Sequence, residues 1–137
     1  MGGDVLDSPT VRGLGDVVNG VVHTSGGFPE DGSAYAKFIA EFSEATGTKP
    51  DNNYYVNGCD IAHMIEQAVG AAGSTDPAAV TAAMAELENG TAVMSSFTFK
   101  GTDRMPLRDV VIARINDNGE KELVLRDQAD PTTMPKP

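Results

Sequence analysis

The chain has 137 residues, enough for one domain and for burying roughly two-thirds of its unfolded surface if it folds by itself. Its 40% hydrophobic and 22% charged residues are those of a globular protein, and 6% aromatics with no Trp imply an aliphatic, Ala-rich core. A formal charge of -10, from 10 Lys and Arg against 20 Asp and Glu, argues against nucleic acid or an anionic membrane as partner.

The one cysteine, Cys59, excludes an internal disulfide. No window approaches the ~20 apolar residues of a membrane span. Met1-Gly2-Gly3-Asp4 lacks the basic and apolar regions of a signal peptide. The expectation is a cytoplasmic protein or a mature or excised piece, and composition does not choose between them.

In chain order, residues 1–20 read as a loop and a short helical stretch. Ser8-Pro9 resembles a helix start, and the spacing of Val11, Leu14, Val17 and Val18 is broken by Gly13 and Gly15. The β-branched run from Gly20 to Ser25 predicts a strand, closed by Gly26-Gly27. A first strong helix starts near Asp31 or Ser33, buries Tyr35, Phe38, Ile39 and Phe42, and ends at Gly47 before Pro50.

The central helix is read from Asn57 to Ala72. Ile61, Met64, Ile65, Ala68, Val69 and Ala72 fall on one stripe at a 3.6-residue period. Asn52-Asn53-Tyr54-Tyr55-Val56 forms its approach and Gly73 its end. A third helix opens at Asp76-Pro77, buries Val80, Ala83, Met84 and Leu87, and stops at Asn89-Gly90.

After Gly90 the period changes to 2. Phe97 and Phe99 mark a half-buried strand, Gly101-Thr102-Asp103-Arg104 a turn and Val110–Ile115 a second strand. Asn116 to Gly119 reads as a hairpin turn into a strand over Glu122–Arg126. The tail from Asp127 to Pro137, with three prolines, is expected to be frayed or an extended tie.

Few residues suggest chemistry. Asp60, His63 and Glu66 can share a helix face as metal ligands do, although a solvated polar face is the commoner meaning of that spacing. Cys59 sits in a first helical turn, where a thiolate is favoured, but it has neither a second cysteine nor a base. His23 stands alone in a strand. Gly13-Leu14-Gly15 falls short of a phosphate loop. No paired carboxylates, triad or HExxH arrangement supports an enzyme, and no cofactor is implied.

Two features suit ligand binding. Asp4 follows two glycines, so its carboxylate can approach a ligand closely and accept a charge-assisted hydrogen bond from an ammonium, worth on the order of 1.5–3 kcal/mol. Tyr54 and Tyr55 stand where a ring can wall an apolar pocket and its hydroxyl can reach a polar group. The plainer alternatives are a solvated loop Asp and a tyrosine packed on its own helix.

The ordered set of elements resembles one family. Gly2-Gly3-Asp4, Gly15-Asp16, Gly20-Val21-Val22, the helices from Tyr35 and Tyr54, Asp76-Pro77-Ala78-Ala79-Val80, Phe97-Thr98-Phe99-Lys100-Gly101 and Val110 to Ile115 before Asn118-Gly119 resemble the second half of the leucine/isoleucine/valine-binding proteins. These are the type I periplasmic solute-binding components of ABC transporters. The resemblance spans Met1 to about Leu125.

It implies an α/β fold, the C-terminal part of a two-lobe protein with Rossmann-like lobes. Residues 1–25 would end the second lobe, 26–106 would be the C-terminal helical part of the first, 107–126 would return to the second, and 127–137 would be an extended tail. Three consecutive helices would then lie on a sheet supplied elsewhere. Asp4 would hold the ligand's α-amino group, Tyr54 would line its side-chain pocket and Tyr55 would be its neighbour. The family's carboxylate-binding groups come from its N-terminal half, outside this sequence. Val93-Met94-Ser95 replaces a glycine usual in the family, and Asn57-Gly58-Cys59 is also a departure.

The implied function is capture of a branched-chain or related small amino acid or carboxylate by lobe closure, with delivery to an ABC permease. The implied location is the periplasm, or the cell envelope as a lipoprotein. Two alternatives are a ligand-sensing regulatory domain of the same fold and a stand-alone interaction module. Taken alone, the faces of Phe38, Ile39, Ile65, Val69 and Met84 predict self-association.

Overall fold

The computed structural model describes residues 2–102, 104–128 and 130. Asp103, in the expected 101–104 turn, and residues 129 and 131–137 of the expected tail lie outside them. The chain runs through a four-residue helix α1 (Pro9–Arg12), strand β1 (Val22–Ser25), helices α2 (Ala34–Thr46), α3 (Tyr54–Ala72) and α4 (Pro77–Ala85), and strands β2 (Gly90–Thr91), β3 (Ser96–Thr98), β4 (Leu107–Ile115) and β5 (Lys121–Gln128). One-turn 3-10 helices occupy Asp4–Leu6 and Gly15–Val18.

β4 organises the sheet. Its residues 111–114 pair antiparallel with β1 (Ser25↔Val111 to Val22↔Arg114) and, on the other edge, with β5, while Leu107 and Arg108 pair with β3. The free edge of β1 receives Gly2 in a parallel bridge opposite His23. Gly2 donates its N–H to Val22 at 3.0 Å and accepts from Thr24 at 3.1 Å. The β4–β5 hairpin closes on Asn116, whose Oδ1 accepts the amides of Asn118 and Glu120, with Gly119 left-handed at φ 74°. β5 runs through Asp127 to Gln128, so the expected tail is strand at its start.

The helix ends follow their sequence signals. Ser8, Ser33 and Asp76 each accept first-turn amides, and Gly47 and Gly73 close α2 and α3 in the left-handed conformation. The α4 stop differs. The helix ends at Ala85, Asn89 turns the chain at φ 53°, and Gly90 already belongs to β2.

The central stripe is also rotated from its expected face. The buried line of α3 is Val56, Asp60, Met64 and Ala68, while Ile61 and Ile65 are 56% and 48% exposed. Neighbouring elements cover the 56–60–64–68 row, and apolar periodicity alone does not say which flank of a broad stripe is covered. Val56 joins Tyr35 and Met94 in a core cluster that Phe38, Ile39 and Val93 border. Val111, Ala113, Ile115 and His23 are buried on one face of the sheet, and Phe97 of β3 is buried as well. Val80, Ala83, Met84 and Leu87, expected to be buried, are half-buried. No helix among the described residues is long and apolar enough to cross a membrane.

Candidate functional site

Asp4 follows directly on the parallel bridge at Gly2. It starts the 3-10 turn Asp4–Leu6 and is exposed. Gly3 is extended there, and a Cβ on it would meet nothing within 4 Å, so the approach to Asp4 is open.

The turn is anchored by Asp7, whose N–H donates to Asp4 O at 2.9 Å and whose side chain is buried. Asp7 accepts from Arg12 Nη1 at 3.0 Å, from Lys121 Nζ at 2.7 Å and from Ser25 Oγ at 3.3 Å. Ser25 has one hydroxyl proton and also lies 2.9 Å from Gly27 O, so it shares that proton between the two acceptors. Two cations around one carboxylate offset the cost of burying it.

Tyr54 and Tyr55 open α3, which begins three residues earlier than the Asn57 start read from the sequence. Tyr54 is half exposed, and its N–H donates to Asn52 Oδ1 at 2.9 Å. The Tyr55 ring meets Phe42 of α2 edge-on at 5.5 Å between centroids. Tyr55 therefore leans on the neighbouring helix, and Tyr54 presents the freer ring. No hydrogen bond or ring contact among the described residues joins either tyrosine to Asp4.

Their segments do meet through a third residue. Arg12, which holds Asp7 with Nη1, donates from Nη2 to the carbonyl of Asp51, three positions before Tyr54. A cavity of about 490 Å³ lies there, lined by Asp7, Arg12, Tyr35, Lys49, Asp51 and Lys121 among others. Tyr35 is buried, and burial together with the nearby Asp7 and Asp60 carboxylates pushes its phenol up to about 12. A larger cavity of about 920 Å³, between α4 and the Phe99–Arg104 segment, is mostly apolar. Asp4, Tyr54 and Tyr55 line neither.

Sequence reading passed over Asp7, Arg12 and Asn53. Asn53 is 1% exposed, and its Oδ1 is a buried acceptor with no partner among the described residues. A hydrophilic residue just before a helix gives no signal that it will be buried. Asp60, expected on a solvated face, is buried as well, paired with Arg108, while His63 and Glu66 are exposed. That engagement leaves Asp60 unsuited to the metal set considered from its spacing, and the described residues contain no cluster of three or more His, Cys, Asp or Glu able to hold a metal ion. Cys59 is half-buried and free, and His23 is buried with Nδ1 2.9 Å from Thr24 O.

The sequence profile of the periplasmic binding proteins matches residues 1–120. The chain belongs to that family. Its fold matches part of several solved members at identities that speak for the fold alone. A leucine-binding protein from Thermotoga maritima is similar with a TM-score of 0.76 and 21% identity, covering 90% of this chain and 35% of that one. A provisionally named branched-chain amino acid ABC transporter protein from Rhodospirillum rubrum gives 0.73 and 19%, over 89% and 36%. A solute-binding protein of an ABC transporter from R. palustris, in complex with benzoate, gives 0.64 and 18%, over 85% and 32%. No curated protein sequence matches significantly. The chain thus spans about a third of the solved periplasmic binding proteins it matches, and its α/β elements form part of their type I fold.

Proposed function

We propose that this chain is part of the solute-binding component of an ABC transporter, working in the periplasm and passing a small amino acid or related carboxylate to a membrane permease. The observation that carries this reading is the family match over residues 1–120. The leucine-binding and benzoate-bound neighbours support, as part of this reading, a small carboxylate with an apolar body as the ligand. Within that class, Asp4 takes a ligand ammonium, Tyr54 walls the apolar body and Tyr55 supports it from Phe42. Residues 1–25 and 107–126 belong to one lobe and 26–106 to the other, and hinge closure shifts an open–closed equilibrium toward the bound form. The protein binds and releases its solute unchanged. No observation favours the regulatory-domain or interaction-module readings over this one.

The exposed Ile61 and Ile65 support a further part of the reading, that this face of α3 is covered in the assembled protein. The 137 residues alone are then expected to self-associate, and a sedimentation run showing only monomer at high concentration would remove that part.

The deciding experiment is a thermal-shift titration of the protein as its gene encodes it, with leucine and with benzoate. A ligand at 100 times its dissociation constant stabilises the native state by about 2.7 kcal/mol. Stabilisation by leucine that Asp4→Ala abolishes supports the amino-acid reading. A benzoate response indifferent to Asp4 moves the ligand to an acid without an amino group. No response to either probe overturns the ligand class.

A further inference from the structure

Arg12 lies in a four-residue helix of the N-terminal segment, yet its guanidinium spans two parts of the fold. Nη1 holds the buried Asp7, and Nη2 donates to the carbonyl of Asp51, 39 residues further along the chain. On the Asp7 side it is fixed to the turn that carries Asp4, because the Asp7 amide closes that turn on Asp4 O. On the Asp51 side it is fixed to the loop that leads into Tyr54. The cavity of about 490 Å³ at this place is lined by Asp7, Glu120 and Lys121 from the first side and by Tyr35, Lys49 and Asp51 from the second. Arg12 therefore bridges a gap that side chains do not fill.

We propose that Arg12 is a latch that holds the Asp4-bearing turn against the entrance of α3 and so sets the spacing of the two ligand-contacting segments. The inference rests on the solute-binding reading for the role of those segments, but the bridge itself does not depend on it. Arginine suits the task because its planar fork serves two acceptors in fixed directions. A lysine keeps the charge beside Asp7 but offers a single nitrogen. Asp7 also has Lys121 and Ser25, so it keeps partners when Arg12 is shortened. Asp51's carbonyl loses the bond that ties it to the other side.

The test is a distance measurement without ligand. In the protein as its gene encodes it, with Cys59→Ser, spin labels at the exposed Val17 and Glu41 report the separation of the two sides by double electron–electron resonance. Arg12→Lys is expected to raise the longer-distance population about tenfold relative to the shorter one, the effect of losing one charge-assisted hydrogen bond. Its thermal midpoint should stay near that of the parent. Arg12→Gln, which removes the charge, should shift the population at least as far.

Label distances unchanged in both variants would overturn the latch. Leucine and benzoate are then added to the labelled parent. A population shift in Arg12→Lys with no response to either ligand keeps the latch and overturns the ligand class proposed for the site, whereas a ligand response with unmoved labels keeps that class and overturns the latch.

Discussion

Arg108 of β4 donates from Nη2 to Asp60 Oδ2 in the middle of α3, across 48 positions of sequence. The other carboxylate oxygen of Asp60 accepts the amides of Val93 and Met94 at 2.7 and 3.3 Å. One buried side chain thus pins a helix, the loop before β3 and the start of β4. Arg108 also reaches Ser95 Oγ at 3.2 Å.

Removing one partner of this pair leaves a buried charge. Arg108→Ala is expected to destabilise the fold by about 3–5 kcal/mol, read as a lower midpoint in urea unfolding. Asp60→Asn should cost less, because its amide oxygen can still accept from Val93. Equal midpoints for Arg108→Ala and the parent would show that the pair contributes nothing net.

Tyr35 predicts an alkaline limit to stability. Its phenol titrates near 12 in the fold against 10.0 ordinarily, burial being the first cause and the Asp7 and Asp60 charges the next. The folded state disfavours the phenolate, so the unfolded chain loses this proton first. The contribution is complete below pH 10 and drains away as pH rises toward about 12. Tyr35→Phe should therefore lose less stability than the parent over that window. Parallel pH profiles of the urea midpoint for the two proteins would contradict this.

Gly90 faces the ring of Phe97 across β2 and β3. A Cβ there would lie 2.3 Å from Phe97 Cζ, and the ring is 1% exposed, so it has no room to withdraw. Gly90→Ala is expected to cost about 1–3 kcal/mol by overpacking. The double variant Gly90→Ala/Phe97→Leu should show a smaller loss than the two single losses summed, a coupling that a double-mutant cycle measures directly.

Asp76 caps α4 through Oδ1, accepting the amides of Ala78 and Ala79 at 3.1 and 3.0 Å. Asp76→Ala should cost about 1 kcal/mol, whereas Asp76→Ser should be nearly neutral. Circular dichroism during thermal unfolding distinguishes the two outcomes.

Much of this architecture was readable beforehand, because the signals are local. Ser33, one of two candidates with Asp31, caps α2, Asp76 caps α4 as expected, Gly47 and Gly73 close two helices, and Asn116 to Gly119 turns the hairpin. Each effect lies within a few residues of its cause. The order of these elements was enough to point to the family that the profile match then showed. Asp4, Tyr54 and Tyr55 came from the same kind of reading, and the structure places them at a turn and a helix start without joining them.

What required the tertiary structure is every long-range choice of partner. The apolar stripe of α3 is broad enough to be buried on either flank, and its neighbours decided for Val56, Met64 and Ala68 over Ile61 and Ile65. Asp7, Asn53 and Asp60 are hydrophilic residues whose local surroundings predict exposure. They are buried because Lys121 and Arg108 arrive from distant segments to meet the two carboxylates, with Arg12 joining Asp7 from five residues along the chain, and because Gly26 leaves room beside the Asn53 amide. Periodicity and capping are properties of neighbours in sequence. The pairing of charges across 48 and 114 positions is a property of the folded chain, and no window of sequence contains it.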